Sequence, residues 1–274
     1  MVRGRRPHER LGRWAFGAAT AGAFAFMMLP IVLVIWLSVF ADEIPSVPPT
    51  GYSTRWYAHL LTQRAFTGGF LTSLDVALIA TAAGLLISLP ASLALTRGRF
   101  RGQGMLLQLL TAPLIVPAIV IGGSLYIFFV EIEIATELPL TGSTLGLGLA
   151  HVLIAIPWCV RLLTASLTGL DRATEEAALS LGARPLTVLA KVTLPAIWPG
   201  LVAAALFSFV ISFGNLEVSL FLVAPGETTL PIAILQYLQW KIDPTIAAVS
   251  TVQIAIIGGA LLVTDRFVPL SRVV

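Results

Sequence analysis

A run of 28 residues, 14–41, carries no charged side chain. The hydrocarbon core of a bilayer is about 30 Å thick and takes roughly 20 helical residues to cross. The apolar segment of a cleavable signal is only about 7–15 residues long. Arg3, Arg5, Arg6, Arg10 and Arg13 precede the run, which continues well past the small-residue stretch Ala23-Phe24-Ala25. It therefore reads as a retained signal-anchor helix. Five more apolar runs follow, over 70–96, 105–130, 139–160, 196–224 and 245–264. Pro90, Pro113, Pro117, Pro157 and Pro199 fall inside or at the edges of these runs. Membrane helices tolerate such prolines because neighbouring helices re-satisfy the freed backbone groups. Composition agrees: 57% of the chain is hydrophobic and 11% charged, against roughly 25% charged in a soluble domain. There is too little polar surface to cover a soluble core, and the expected fold is an all-α integral membrane protein of six transmembrane helices.

Charge placement predicts the orientation through the bias of short cytoplasmic loops toward Lys and Arg. With the N-terminus in the cytoplasm, fourteen of the seventeen basic residues fall on that side, including Arg97, Arg99, Arg101, Arg161, Arg172, Arg184, Lys191, Arg266 and Arg272. Arg55, Arg64 and Lys241 fall on the other, together with seven acids. The expected organisation is a basic cytoplasmic N-terminus over 1–13, a membrane domain over 14–264 and a cytoplasmic C-terminus over 265–274, N-in and C-in.

Several chemistries lack their residues. Phosphate-cradling loops converge backbone N–H groups at spaced glycines followed by a lysine; Gly98, Gly102 and Gly104 make a turn that no lysine follows. No H-E-x-x-H zinc motif occurs, His8, His59 and His151 are far apart, and no G-x-S-x-G nucleophile elbow is present. The lone Cys159 excludes an internal disulfide framework and a cysteine-based zinc site. Cys159 reads as a small packed apolar residue and His151 as a histidine packed between helices. No cofactor is expected on this chain. If the protein does energised work, its ATPase is a separate chain.

The loop over 161–195 is long and semi-apolar. A helix start is expected at Thr174, with Glu175 and Glu176 in the first turn, where the helix dipole favours acids. Gly182 suits a left-handed C-terminal cap, and Pro185 the first position of a second short helix. Leu186, Leu189 and Val192 should form its apolar face, and Leu194-Pro195 should end it. An interfacial helix pair padding the bilayer surface accounts for this pattern, and a partner-docking element accounts for it equally.

Glu176-Ala177-Ala178, three residues, Gly182, eleven residues and then Leu194-Pro195 resembles the EAA loop of ABC-importer permeases. The resemblance implies a type I importer permease architecture, similar to methionine-type permeases, in a bacterial inner membrane. It implies that Glu176, Ala177, Ala178 and Gly182 contact an ATP-binding subunit, with a bulky residue at Gly182 both clashing and losing the turn. It also implies a second, homologous permease subunit, two ATP-binding subunits that carry the ATP and magnesium, and a substrate-binding protein at the outer face. Membrane lipid is the remaining partner, and no nucleic acid is implied.

Beyond the loop, Arg55-Trp56-Tyr57, Thr72-Ser73-Leu74, Ala112-Pro113-Leu114-Ile115-Val116-Pro117, Thr229-Leu230-Pro231 and Ala248-Val249-Ser250-Thr251 are similar, as an ordered set, to the spermidine/putrescine-type branch. That branch often carries paired acids in the fifth span. Here Ser212-Phe213-Gly214-Asn215-Leu216-Glu217 holds one, which leaves the substrate open between polyamines and other small solutes.

An ionisable residue inside the membrane is a functional candidate because an unpaired charge there costs several kcal/mol. Asp75 and Glu217 qualify. Asp75 lies near the outer interface, where hydration alone accommodates it. Glu217 is deeper and follows Gly214 and Asn215, which can leave the helix locally open, so 214–217 is the expected path or gate. A secondary transporter or channel using Asp75, Glu217 and His151 remains the alternative, although the inverted repeats common in such proteins are not evident. A membrane enzyme is the weaker rival, for want of catalytic motifs.

Overall fold

The structure, a computed structural model, describes residues 7–224 and 226–267. Arg3, Arg5, Arg6, Arg272 and the tail over 268–274 lie outside the described residues. In chain order the helices are α1 (Pro7–Leu37), α2 (Arg55–Thr62), α3 (Arg64–Arg97), α4 (Gln103–Thr111), α5 (Ala118–Thr136), α6 (Thr144–Gly169), α7 (Arg172–Ser180), α8 (Pro185–Val188), α9 (Leu194–Ala196), α10 (Trp198–Phe213), α11 (Ser219–Leu222), α12 (Leu230–Trp240) and α13 (Thr245–Phe267). Five of these, α1, α3, α5, α6 and α13, are long and apolar enough to cross a membrane.

The fifth expected span differs from a single helix. Helix α10 has 16 residues and reaches about 24 Å at 1.5 Å per residue, short of the hydrocarbon core. It stops at Gly214, and α11 resumes at Ser219. At its other end the chain bends by 71° between Pro185–Ala196 and Trp198–Phe213. Pro199 has no N–H to return to the carbonyl of Pro195, which removes one helical bond at the bend. The third span is also shorter than expected. Pro113 and Pro117 separate α4 from α5, so the crossing helix is Ala118–Thr136 and not 105–130. In the fourth, α6 runs on to Gly169, so the loop begins nine residues later than the first charge, Arg161, suggests. Exposed Arg161 leaves that helical backbone intact.

The described residues form two compact units. The first comprises α1, the chain from there to Thr62, and Trp240–Ile254. Side chains along α1 from Trp14 to Leu33 are exposed, as suits a helix apolar on every side. Beyond it the chain wraps tightly around Phe40, which is fully buried. Trp36 meets Phe40 edge-on with ring centroids 5.0 Å apart. Trp56 donates its indole N–H to the Phe40 carbonyl at 2.6 Å, and Arg55 donates to the Ala41 carbonyl at 2.8 Å. The Arg55 guanidinium lies 4.4 Å above the Trp56 ring, a cation–π geometry. Asp42 accepts from the Thr50 hydroxyl and, at 3.0 Å, from the Thr50 backbone N–H. Those bonds hold the Asp42 carboxyl below its usual value of 3.8.

The second unit, Gln63–Gln239 with the rest of α13, is built on α3, α6 and α10 packed against one another. Lipid supplies no hydrophobic drive between membrane helices, so small residues and polar contacts bring them together. Helix α3 turns Gly69, Ser73, Ala77, Ala80, Gly84, Ser88 and Ser92 inward. A Cβ at Gly84 would lie 3.3 Å from that of Ala155. Ser88 and Ser92 donate to the carbonyls of Ile156 and Val160 on α6. Helix α10 contributes Gly200, Ala204, Ser208 and Ser212 at four-residue spacing. Cys159 sits in this seam with Sγ 2.8 Å from Ser208 Oγ.

Candidate functional site

The loop after α6 opens at Asp171, not at Thr174. The Asp171 carboxylate accepts from the backbone N–H of Ala173 at 3.0 Å and caps α7 three residues before the expected start; Glu175 still lies in the first turn, as expected, and Glu176 follows it. Glu176 is exposed and pairs loosely with Arg172 four residues before it, at 3.4 Å. Such surface pairs contribute about 0.3–0.5 kcal/mol. Glu175 points the other way. Its Oε2 accepts from Arg97 Nε at 2.6 Å, and its Oε1 from the buried Thr193 hydroxyl at 2.6 Å.

The turn after α7 is the expected one. Gly182 has φ +87°; its N–H donates to Leu179 O at 2.9 Å, and that of Ala183 to Ala178 O at 3.2 Å. This pair of hydrogen bonds ends a helix with a left-handed glycine. Around an added Cβ at Gly182 there is open space, so the clash expected of a bulky side chain does not arise within this chain.

Pro185 takes the first turn of α8. Of the expected apolar face, Leu189 and Val192 are half-buried, but Leu186 is not part of it. Val188 is buried, whereas Leu186 is 79% exposed and Leu181, on the turn, 89% exposed. Leu194-Pro195 does not end the helix either. Backbone over Leu189–Thr193 widens into a π-helical turn, Leu194–Ala196 remains helical, and the bend comes at Ile197. The result is a small helical lever tied to the α3 terminus by Glu175, with two leucines facing outward.

The expected path residues gather at the interruption of α10. Gly214 and Asn215 are non-helical, and Glu217 lies in the turn before α11. The Asn215 side chain accepts from Val218 N–H at 2.9 Å, and its carbonyl accepts from the Ser219 hydroxyl at 2.9 Å. These bonds satisfy backbone groups the break leaves open. Gly122 on α5 permits the fit, since a Cβ there would lie 3.0 Å from the Glu217 carbonyl and 2.8 Å from the Phe221 ring. Glu217 and Gly214 are exposed and Asn215 half-buried. Asp75 lies on the exposed face of α3, away from that inward seam. Among the described residues, neither Asp75 nor Glu217 has a hydrogen bond or ion pair, and no group of three His, Cys, Asp or Glu could hold a metal ion.

Two residues missed at the sequence level enter here. Arg97 and Thr193 complete the Glu175 clamp, yet 78 positions separate Arg97 from Glu175, and no local periodicity links them. His151 is packed between helices as expected, and its bonding partners are added by the structure: Nδ1 lies 2.7 Å from Ser212 Oγ and Nε2 3.0 Å from Ser219 Oγ. Two of the ordered sequence matches also meet in space: Ser73 Oγ accepts the Leu230 N–H at 2.9 Å.

Residues 84–270 match the family described as binding-protein-dependent transport system inner membrane component. The chain is 34% identical over 236 residues to the putrescine transport system permease protein PotI of Escherichia coli K12, covering 86% of this chain and 84% of the relative. It is 27% identical over 264 residues to the spermidine/putrescine transport system permease protein PotC of the same organism, covering 93% and 96%. A solved bacterial ABC transporter involved in the import of the acidic polysaccharide alginate shares the fold. It has a TM-score of 0.73 at 15% identity, over 97% of this chain and 99% of that one. The fold is thus that of an ABC-importer permease, a multi-pass membrane transport component and not an enzyme. The chain belongs to the family of binding-protein-dependent transport system inner membrane components, whose members work with an ATPase and a substrate-binding protein.

Proposed function

We propose that this chain is a permease subunit for ATP-driven import of a polyamine or related amine-bearing solute across a bacterial inner membrane. The observation that carries the substrate class is the similarity to two permeases named for putrescine and spermidine, along nearly the whole chain. In this reading the protein is oriented N-in and C-in, with the loop around α7 and α8 in the cytoplasm. It pairs with a homologous permease, two ATP-binding subunits that hold ATP and magnesium, and a binding protein outside.

The exposed leucines Leu181 and Leu186, flanking Gly182, support the loop as the surface that docks on an ATP-binding subunit. Glu176, Ala177 and Ala178 lie on the same short helix and would contact that subunit. Closure of the ATP-binding subunits would pull α7 and α8, and the Arg97–Glu175 clamp would pass the displacement into α3. Leu194 and Pro195 link the lever to the bend at Ile197 and hence to α10. At the far end of α10, Gly214 and Asn215 keep the backbone open beside Glu217, whose carboxylate attracts an ammonium group. Asp75 offers a second carboxylate. Conformational change of this kind requires ligands that bind the two states unequally.

The test is uptake of radiolabelled putrescine by proteoliposomes holding the whole transporter and its binding protein. Uptake that requires ATP and is competed by spermidine supports the reading. ATP-dependent uptake of a different solute with no polyamine competition overturns the substrate, and uptake without ATP overturns the mechanism.

A further inference from the structure

The geometry points to His151 as a positioning residue: it bridges the helix break in the fifth span and so fixes where Glu217 is presented. This rests on the reading of Glu217 as a path residue. His151 is 2% exposed, Ser212 3% and Ser219 0%, and the two serines lie on opposite sides of the break, in α10 and α11. Buried polar groups in a membrane domain are costly unless bonded, and here a single ring satisfies one partner on each side.

The hydrogen bonds also have a direction. Ser219 donates its one hydroxyl proton to the Asn215 carbonyl, so toward His151 its oxygen accepts. Nε2 therefore carries the imidazole proton and donates to Ser219. A neutral ring then has Nδ1 as its acceptor, and Ser212 donates to it. The chain runs from the Ser212 hydroxyl through the ring and the Ser219 hydroxyl to the Asn215 carbonyl. It begins on the last turn of α10 and ends on the unwound backbone two residues before Glu217. Gly122 on α5 confines the same backbone at Glu217 and Val218. The Glu217 segment thus has two supports, one polar and one steric.

Among the described residues, no other side chain is hydrogen-bonded across the break. Asn215 bonds Val218 and Ser219 ahead of it and, through its backbone N–H, the Ser212 carbonyl behind it at 3.2 Å; the side chains packed there are apolar, among them Ile121, Val218, Leu222 and Ile154. Removing the ring's bonding while keeping its volume should free the break without emptying the core.

The experiment uses the complete transporter in nanodiscs, with Cys159→Ser and Glu217→Cys, and tracks labelling of position 217 by a membrane-impermeant maleimide. Adding His151→Phe is expected to change the labelling rate by about tenfold, the scale of one lost hydrogen bond. Ser212→Ala with Ser219→Ala should reproduce the change, and His151→Phe on top of that pair should add little. In a transporter retaining Glu217, His151→Phe should raise KM for uptake more than it lowers kcat. Ser219→Ala, which removes one bond and little volume, serves if His151→Phe does not assemble. An assembled Ser219→Ala or His151→Phe complex that labels at the parental rate overturns the proposal. Labelling reads break geometry whatever the solute. By contrast, unchanged uptake in Glu217→Gln would overturn only the path reading.

Discussion

Arg97, at the last turn of α3, donates to Glu175 on α7 at 2.6 Å, and Thr193 donates to the same carboxylate from the other side. The side chains of Arg97 and Glu175 are 21% and 12% exposed, so water competes weakly for the pair. One carboxylate thereby joins three elements: a membrane helix, the lever helix and the π-helical turn that leads to the bend. Glu176, one of the residues that carry the sequence resemblance, faces outward and is exposed.

Glu175→Ala should leave Thr193 without its acceptor and Arg97 with only the 3.4 Å bond to the Leu170 carbonyl, at a cost of about 1–3 kcal/mol for each lost bond. The expected result is a transporter that assembles and hydrolyses ATP but loses most of its uptake. Measuring ATPase activity and uptake on one preparation checks it. Equal loss of both would indicate failed docking instead.

At Gly182 the space is open but φ is +87°. Gly182→Ala should therefore cost about 1–2 kcal/mol through backbone conformation alone, and Gly182→Asn less. Gly182→Trp should abolish uptake while membrane insertion stays normal, because the obstruction is with a partner. Uptake by the three variants, ranked Asn, Ala, Trp, gives the check.

Substituting Gly122 acts directly on the backbone of the break. A Cβ there meets the Phe221 ring at 2.8 Å and the Glu217 backbone at 3.0 Å, and overpacking of this kind costs typically about 1–3 kcal/mol. Gly122→Val should lower the Tm of the detergent-solubilised complex. Gly123→Val, whose Cβ would lie 3.8 Å from the Phe221 ring, should lower it less.

The loop after α1 carries a pH dependence. Asp42 is held below 3.8 by hydrogen bonds from Thr50, so its contribution is present above the unfolded value and disappears as pH falls through the lower folded one. Protection of the Thr50 amide, taken relative to its intrinsic exchange rate at each pH, should hold at neutral pH and fall only below about pH 4. Asp42→Asn should weaken that protection at every pH, read by hydrogen–deuterium exchange.

Much of the fold was legible from local pattern. Long uncharged runs marked the membrane helices, and glycine followed by proline marked the turn at Gly182 and the start of α8. Gly214 and Asn215 marked the break, because both residues relax the helical backbone and asparagine can cap the next helical turn. The errors have equally local causes. Arg161 reads as the end of α6 because a charge marks the membrane edge, yet a helix can continue past it into water. Leu194-Pro195 reads as a stop because proline removes one bond, whereas a π-helical turn absorbs that loss. Long-range pairs left no trace: neither Arg97 with Glu175 nor His151 with its two serines can be deduced from spacing, since each depends on how α3, α6 and α10 pack.

The most direct test is photocrosslinking from position 181, where the native leucine is 89% exposed at the tip of the lever. Leu181 is replaced by a photoreactive phenylalanine analogue in the native membrane, and the crosslinked product is identified by mass spectrometry. Docking of this loop predicts a covalent adduct with an ATP-binding subunit that weakens when Glu175→Ala is added. Adducts with lipid alone, under conditions where the transporter is active, would contradict it.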